Sequence, residues 1–214
     1  MATPDVVQFV CLSQDPRTVI EALGGALDTL DTELAAIARL GYDTEDGRFG
    51  FEGQEQRCTN FAVAGAQVAD WGDIALQLLL PPGGGACFVY LWRQRETTCL
   101  SVELHAGNLY FESEEWENLQ WVRSFLIATN AALGTVGSAY DAHRDELFAP
   151  LNLGKILEAL RAGTLLETVP LSHYMIRHDV IAAREIRALV ERDAPPGFRY
   201  SETTTGYYVL DNLY

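Results

Sequence analysis

The chain has 214 residues, with 15 Lys and Arg against 30 Asp and Glu, a formal charge of −15 at pH 7. So acidic a chain lacks the general basic surface that phosphate backbones require and would be repelled by anionic membranes. Its 48% hydrophobic and 10% aromatic content suits a globular chain, not a disordered acidic tail.

The length fits one domain or two small ones. The longest apolar stretch, 74–82, is far short of the roughly 20 residues a spanning helix needs and is interrupted by Gln77. The first five residues carry no basic segment of the kind that opens a signal peptide, so a cytoplasmic location is the expectation. Cys11, Cys58, Cys87 and Cys99 show no paired spacing and read as reduced thiols.

In chain order, 6–12 (VVQFVCL) reads as a buried strand. Asp15-Pro16 then opens a helix. Val19, Ile20, Leu23, Leu27, Leu30, Leu34 and Ile37 recur at helical spacing, which predicts one helix running to Gly41. The polar, glycine-rich stretch 41–60 reads as a loop with a short strand at 48–52. Residues 61–80 fit either helix or strand, with Asp70, Trp71 and Gly72 suggesting a turn between two extended pieces. Pro81-Pro82-Gly83-Gly84-Gly85 is a breaker.

The segments 86–92 (ACFVYLW) and 97–104 (TTCLSVEL) predict an antiparallel hairpin, with a third strand at 108–112. Ser113 is placed to cap a helix carrying Trp116, Leu119, Val122, Phe125 and Leu126 and ending at Gly134. A strand at 135–140 follows, then a short helix from Asn152 to Gly163. Residues 168–177 read as extended, Asp179 as the cap of a last helix, and 198–210 as a terminal hairpin. Strands grouped in hairpins with four helices between them predict an α+β fold, with a mostly antiparallel sheet and helices packed on one side. No clean linker divides residues 1–214, so a single domain is expected, with 148–214 as a possible subdomain.

The charge is unevenly spread. Residues 1–147 carry a net −14, and residues 148–214 only −1. From Glu96 to Val122 there are six glutamates and no Lys or Arg, and a second acidic stretch spans 28–55.

Motifs for chemistry are sparse. The four histidines are His105, His143, His173 and His178, and none sits in a zinc-type spacing. Asp141, His143 and Asp145 could line one side of an extended segment, whereas His173 and His178 on a strand would face opposite ways. No nucleophile elbow occurs. Cys11, Cys87 and Cys99 lie in apolar strands, which leaves Cys58, in the polar stretch, as the exposed thiol. The triple glycine 83–85 is followed by a strand and not by the helix that a phosphate loop requires. No catalytic, metal or cofactor residue is therefore assigned.

The glutamates are dense enough for acid–base work, with Tyr110, Trp116 and Trp121 near in sequence. First-turn glutamates, however, are also what a helix dipole favours. The remaining reading of Glu103, Glu112, Glu114, Glu115 and Glu117 is a docking surface for a basic protein partner, because complementary charge speeds association and selects partners.

By size, acidity, element order and the ending Thr205-Gly206-Tyr207-Tyr208-Val209-Leu210 after a helix at 179–192, the chain resembles immunity proteins of bacterial polymorphic-toxin systems. That resemblance implies a non-enzymatic protein that binds and blocks one basic toxin. It carries over no individual residues. A hydrolase with a carboxylate and histidine site, or a structural protein, are the alternatives.

Overall fold

A computed structural model describes residues 5–10, 15–43, 48–80, 85–94, 97–104, 115–141, 152–162, 172–193 and 199–211. The described strands are β1 (Asp5–Val10), β2 (Glu33–Asp43), β3 (Arg48–Arg57), β4 (Ile74–Leu79), β5 (Ala86–Gln94), β6 (Thr97–Leu104), β7 (Gly137–Asp141), β8 (Ser172–Arg177), β9 (Arg199–Glu202) and β10 (Tyr207–Asp211). They form one ten-stranded sheet in the order β3-β2-β4-β5-β6-β1-β7-β8-β10-β9. Every pairing is antiparallel. The N-terminal strand therefore lies at the centre, between β6 and β7.

Five helices are described: α1 (Pro16–Asp28), α2 (Phe61–Trp71), α3 (Glu115–Leu133), α4 (Leu153–Arg161) and α5 (Ala183–Asp193). The α+β class is thus as expected. The expectation of helices on one side is not, because they cover both. Alternation along the strands sends Tyr140, Met175, Tyr207 and Val209 to one face, where they join a core with Val19 and Leu23 of α1, Ala64 and Val68 of α2, and Val122 and Phe125 of α3. The intervening Ala139, Tyr174, Ile176, Tyr208 and Leu210 point the other way and pack with Leu157 of α4 and Ile186 and Leu189 of α5. Strands buried on both faces cannot show polar alternation, and YYVL in β10 is apolar throughout for this reason.

Four sequence expectations about single elements are corrected. The helix opening at Pro16 ends at Asp28, and Leu34 and Ile37 belong to β2. Thr29 closes the helix with its backbone N–H on Ala26 and Leu27, and its hydroxyl donates to the Ala26 carbonyl at 2.7 Å. Asp31 then takes a left-handed turn at φ 50°, a conformation that aspartate tolerates better than most residues. Leu34 and Ile37 continued the helical spacing by coincidence, since both are buried from a strand with a bulge between Leu34 and Ala36.

Residues 61–71 are helical, not extended. Asn60 caps them, its side-chain oxygen accepting from the N–H groups of Ala62 and Val63 at 2.8 and 3.1 Å. The expected loop at 41–60 is largely strand, because β2 runs to Asp43 and β3 from Arg48 to Arg57.

Asp179 does not cap the last helix. It pairs instead with Arg177 through two hydrogen bonds of 2.7 and 2.9 Å, and α5 starts at Ala183. The hairpins β5–β6 and β9–β10 are as read. Helix α3 stops where expected, at Gly134, whose φ of 58° suits glycine. The predicted strand at 108–112 and the cap at Ser113 lie outside the described residues.

Candidate functional site

The five glutamates singled out from the sequence are placed unequally. Glu112 and Glu114 lie outside the described residues. Glu115 and Glu117 fall in the first turn of α3, where unpaired backbone N–H groups favour negative charge. Glu103 sits half-buried in β6, directly opposite Phe88 of β5. The Tyr90 hydroxyl donates to Glu103 Oε2 at 2.6 Å. Burial of the phenol, reinforced by that bond, keeps Tyr90 protonated.

Phe88 and Tyr90 belong to the sheet face opposite α1, α2 and α3, on the half of the sheet that α4 and α5 do not reach. The buried part of this face is Ala38, Leu40, Ala75, Tyr90, Trp92 and Cys99. Next to it runs a groove of about 220 Å³. The small side chains of Ala36, Ala38 and Ala75 leave the space, Phe51 and Phe88 line it with rings that meet each other, and Glu55 and Gln77 supply polar groups. The rings of Phe51, Phe88 and Tyr90 are mutually 6.2 to 6.5 Å apart. Phe51 is nonetheless 56% exposed, the most exposed of the large apolar side chains described.

The local chain explains the groove. Strand β3 is an edge strand, so one flank of its backbone has no neighbour among the described strands. Its pairing with β2 slips between Ile37 and Arg39, which opposes residues 53–55 to Ala38 alone. Gly53, at φ 82°, permits this bulge. The bulge leaves Glu55 beside the groove, exposed and without a hydrogen bond or ion pair among the described residues. Glu52, by contrast, pairs with Arg39 at 3.2 Å. A row of paired residues crosses this face from Ala36 through Gln77 and Phe88 to Glu103, so one of the five predicted glutamates extends the line of the groove.

A second polar grouping lies on the face covered by α1, α2 and α3. His173 of β8 is flanked by Tyr140 of β7 and Asp211 of β10 in register. His173 and Asp211 are both buried, with Nε2 and Oδ2 3.8 Å apart. Arg123 of α3 reaches Asp211 at 3.3 Å. Neither ring nitrogen of His173 has a hydrogen-bond partner among the described residues, and burial, with Arg123 nearby, lowers its pKa to about 3. Burial raises the pKa of Asp211 despite Arg123 and Arg199. With no exposed surface, His173 cannot touch a substrate, so this pair does not supply the acid–base site that the hydrolase reading needs.

The other candidate groups are dispersed. His105 and His143 lie outside the described residues, as do Cys11 and Asp145. His178 is exposed in the turn after β8, its ring against Tyr208 at 4.2 Å, so it and the buried His173 do not converge. Cys58 is buried, not exposed, because it sits under the α2 cap with its thiol 3.4 Å from the Asn60 carbonyl. Burial pushes the Cys87 thiol up to about 12 and Cys99 to about 11. Among the described residues no three His, Cys, Asp or Glu gather as metal ligands, and no helix is long and apolar enough to cross a membrane.

Sequence reasoning missed the groove because Phe51 fell within a stretch dominated by glycine and charge. The alternation of Phe49 and Phe51 around Gly50 was the available signal. Asp211 and His173 meet only through strand pairing, and no spacing links them in the chain. Compared with known proteins, this chain matches no family model, no curated protein and no solved structure.

Proposed function

We propose that this chain is a non-enzymatic acidic binding protein of the immunity type, which docks on a basic protein partner and blocks it. The observation that carries the reading is the charge: a net −14 in residues 1–147, the part of the chain that also forms the groove with its exposed phenylalanine and with Glu55, which has no ion pair among the described residues. An exposed aromatic beside carboxylates is the composition of a recognition surface, in which charge sets the encounter rate and the apolar group holds the complex. A toxin that cleaves nucleic acid needs a basic cleft, and carboxylates can occupy it in place of phosphates. Glu103, Glu112, Glu114, Glu115 and Glu117 are the proposed electrostatic contacts. A cytoplasmic setting goes with this role.

The test takes the protein encoded by the adjacent reading frame and follows its association with this chain by stopped-flow fluorescence. A basic domain in that protein and a tight complex with it are expected. Reversing Glu114, Glu115 and Glu117 to lysine slows association about tenfold or more at low salt and much less at high salt. A neighbour without affinity for this chain, or an association rate indifferent to the reversal, would overturn the reading.

A further inference from the structure

We infer that the groove lined by Phe51, Phe88 and Glu55 receives an arginine side chain of the basic partner. The inference rests on the proposed binding function and names what its surface accepts. Three features converge on a guanidinium. The floor is built from alanines, so a flat group can enter where a branched core side chain would otherwise stand. The rings of Phe51 and Phe88 meet, 6.2 Å apart, along one wall of the space, and the exposed Phe51 ring offers a face that attracts a planar cation able to stack on it. Glu55 lines the same groove with no cation paired to it among the described residues, while the neighbouring Glu52 is paired with Arg39.

Arginine satisfies all three features at once. Its stem lies against alanine, its plane against the exposed ring, and its fork of donors meets the carboxylate. Lysine, a compact and strongly hydrated charge, has no plane to stack on the ring and no fork of donors for the carboxylate, and so fits less well. The 56% exposure of Phe51 is then the cost of holding an open site in the unbound protein. The bulge at Gly53 is the backbone device that holds Glu55 there.

The experiment is an NMR titration of the full chain with N-acetylarginine methylamide, using its lysine and citrulline counterparts as controls. The expected result is a saturable set of shifts at Gly53, Glu55, Gln77 and Phe88. Arginine should bind at least about tenfold more tightly than lysine, and citrulline should leave the spectrum unchanged. Phe51→Ala and Glu55→Gln are exposed substitutions whose folding is checked by thermal melts, and each should weaken binding about tenfold. Asp70→Asn, on an exposed turn of α2, should not. Shifts that never saturate, that spread over all carboxylates, or that persist in Phe51→Ala would overturn the inference. Arginine binding in the groove without any complex with a basic protein would leave the inference standing and remove the proposed function. A complex formed equally well by the groove variants would do the reverse.

Discussion

His173 and Asp211 face each other across β8 and β10, with Nε2 and Oδ2 3.8 Å apart, and both are buried, His173 completely. At that distance they do not share a hydrogen bond, and the imidazole is held neutral. The pair marks where the sheet has enclosed polar groups without fully satisfying them.

That enclosure makes stability depend on pH. The folded chain holds His173 neutral down to about pH 3, whereas the unfolded chain takes up a proton near its ordinary value of 6.5. Stability from this group is full above 6.5 and drains as pH falls from there toward 3, at a cost of about 2 kcal/mol near pH 5. Asp211, with its pKa raised, works in the opposite direction, since the native form gains its proton first. Arg123, Arg199 and the Tyr140 ring also face the pair. Urea midpoints measured at about pH 7.5 and pH 5 should fall in the parent chain and fall less in His173→Leu. An equal fall in both would refute this assignment.

The thiols should be inert in the folded protein. Cys87 and Cys99 are buried, with pKa values near 12 and 11, so almost no thiolate exists at pH 8. Iodoacetamide followed by peptide mapping should leave both unlabelled over hours at pH 8 and label both within minutes in denaturant. Fast labelling of Cys87 without denaturant would contradict its burial.

Adjacent glycines in α1 should respond in opposite directions. A Cβ at Gly24 would lie 2.6 Å from the Phe61 ring, where α1 meets α2, while one at Gly25 meets nothing within 4 Å. Gly24→Ala should cost about 1–3 kcal/mol through forced displacement of Phe61. Gly25→Ala should gain up to about 1 kcal/mol from helix propensity. Thermal melts of the two variants decide it, and a loss in Gly25→Ala would show that the helix is not formed as described.

Asn130 ties the end of α3 to the sheet. Its amide nitrogen donates to the Leu126 carbonyl and the Ser138 hydroxyl, each at 2.7 Å, and its oxygen accepts from the Thr135 hydroxyl. The Tyr207 hydroxyl lies 2.9 Å from the carbonyl oxygens of both Asn130 and Thr135. Asn130→Ala, which strands several buried partners, should cost about 2–4 kcal/mol, and Tyr207→Phe about 1 kcal/mol. Chemical denaturation measures both, and near-equal costs would mean that the amide is not the hub of this network.

Legibility followed locality. The hairpins β5–β6 and β9–β10 and the stop of α3 at Gly134 are written in a few adjacent residues, and each was readable. The end of α1 was not, because Leu34 and Ile37 kept a helical spacing while belonging to a bulged strand. Asn60, whose side chain caps α2, was a readable signal that the apolar run after it outweighed. Of the five glutamates singled out from the sequence, Glu103 has its side chain described, and its partner is Tyr90, thirteen residues away on the next strand.

By itself the sequence determined the α+β class and the acidity of the first two-thirds of the chain, since both are sums over local composition and pattern. Tertiary structure alone decided that helices cover both faces, that β1 lies at the centre of the sheet, and that Phe51, Phe88 and Glu55 share a groove. The physical reason is strand order. Antiparallel pairing joins residues that no local spacing relates, and a single bulge at Gly53 determines which carboxylate is left beside the exposed ring.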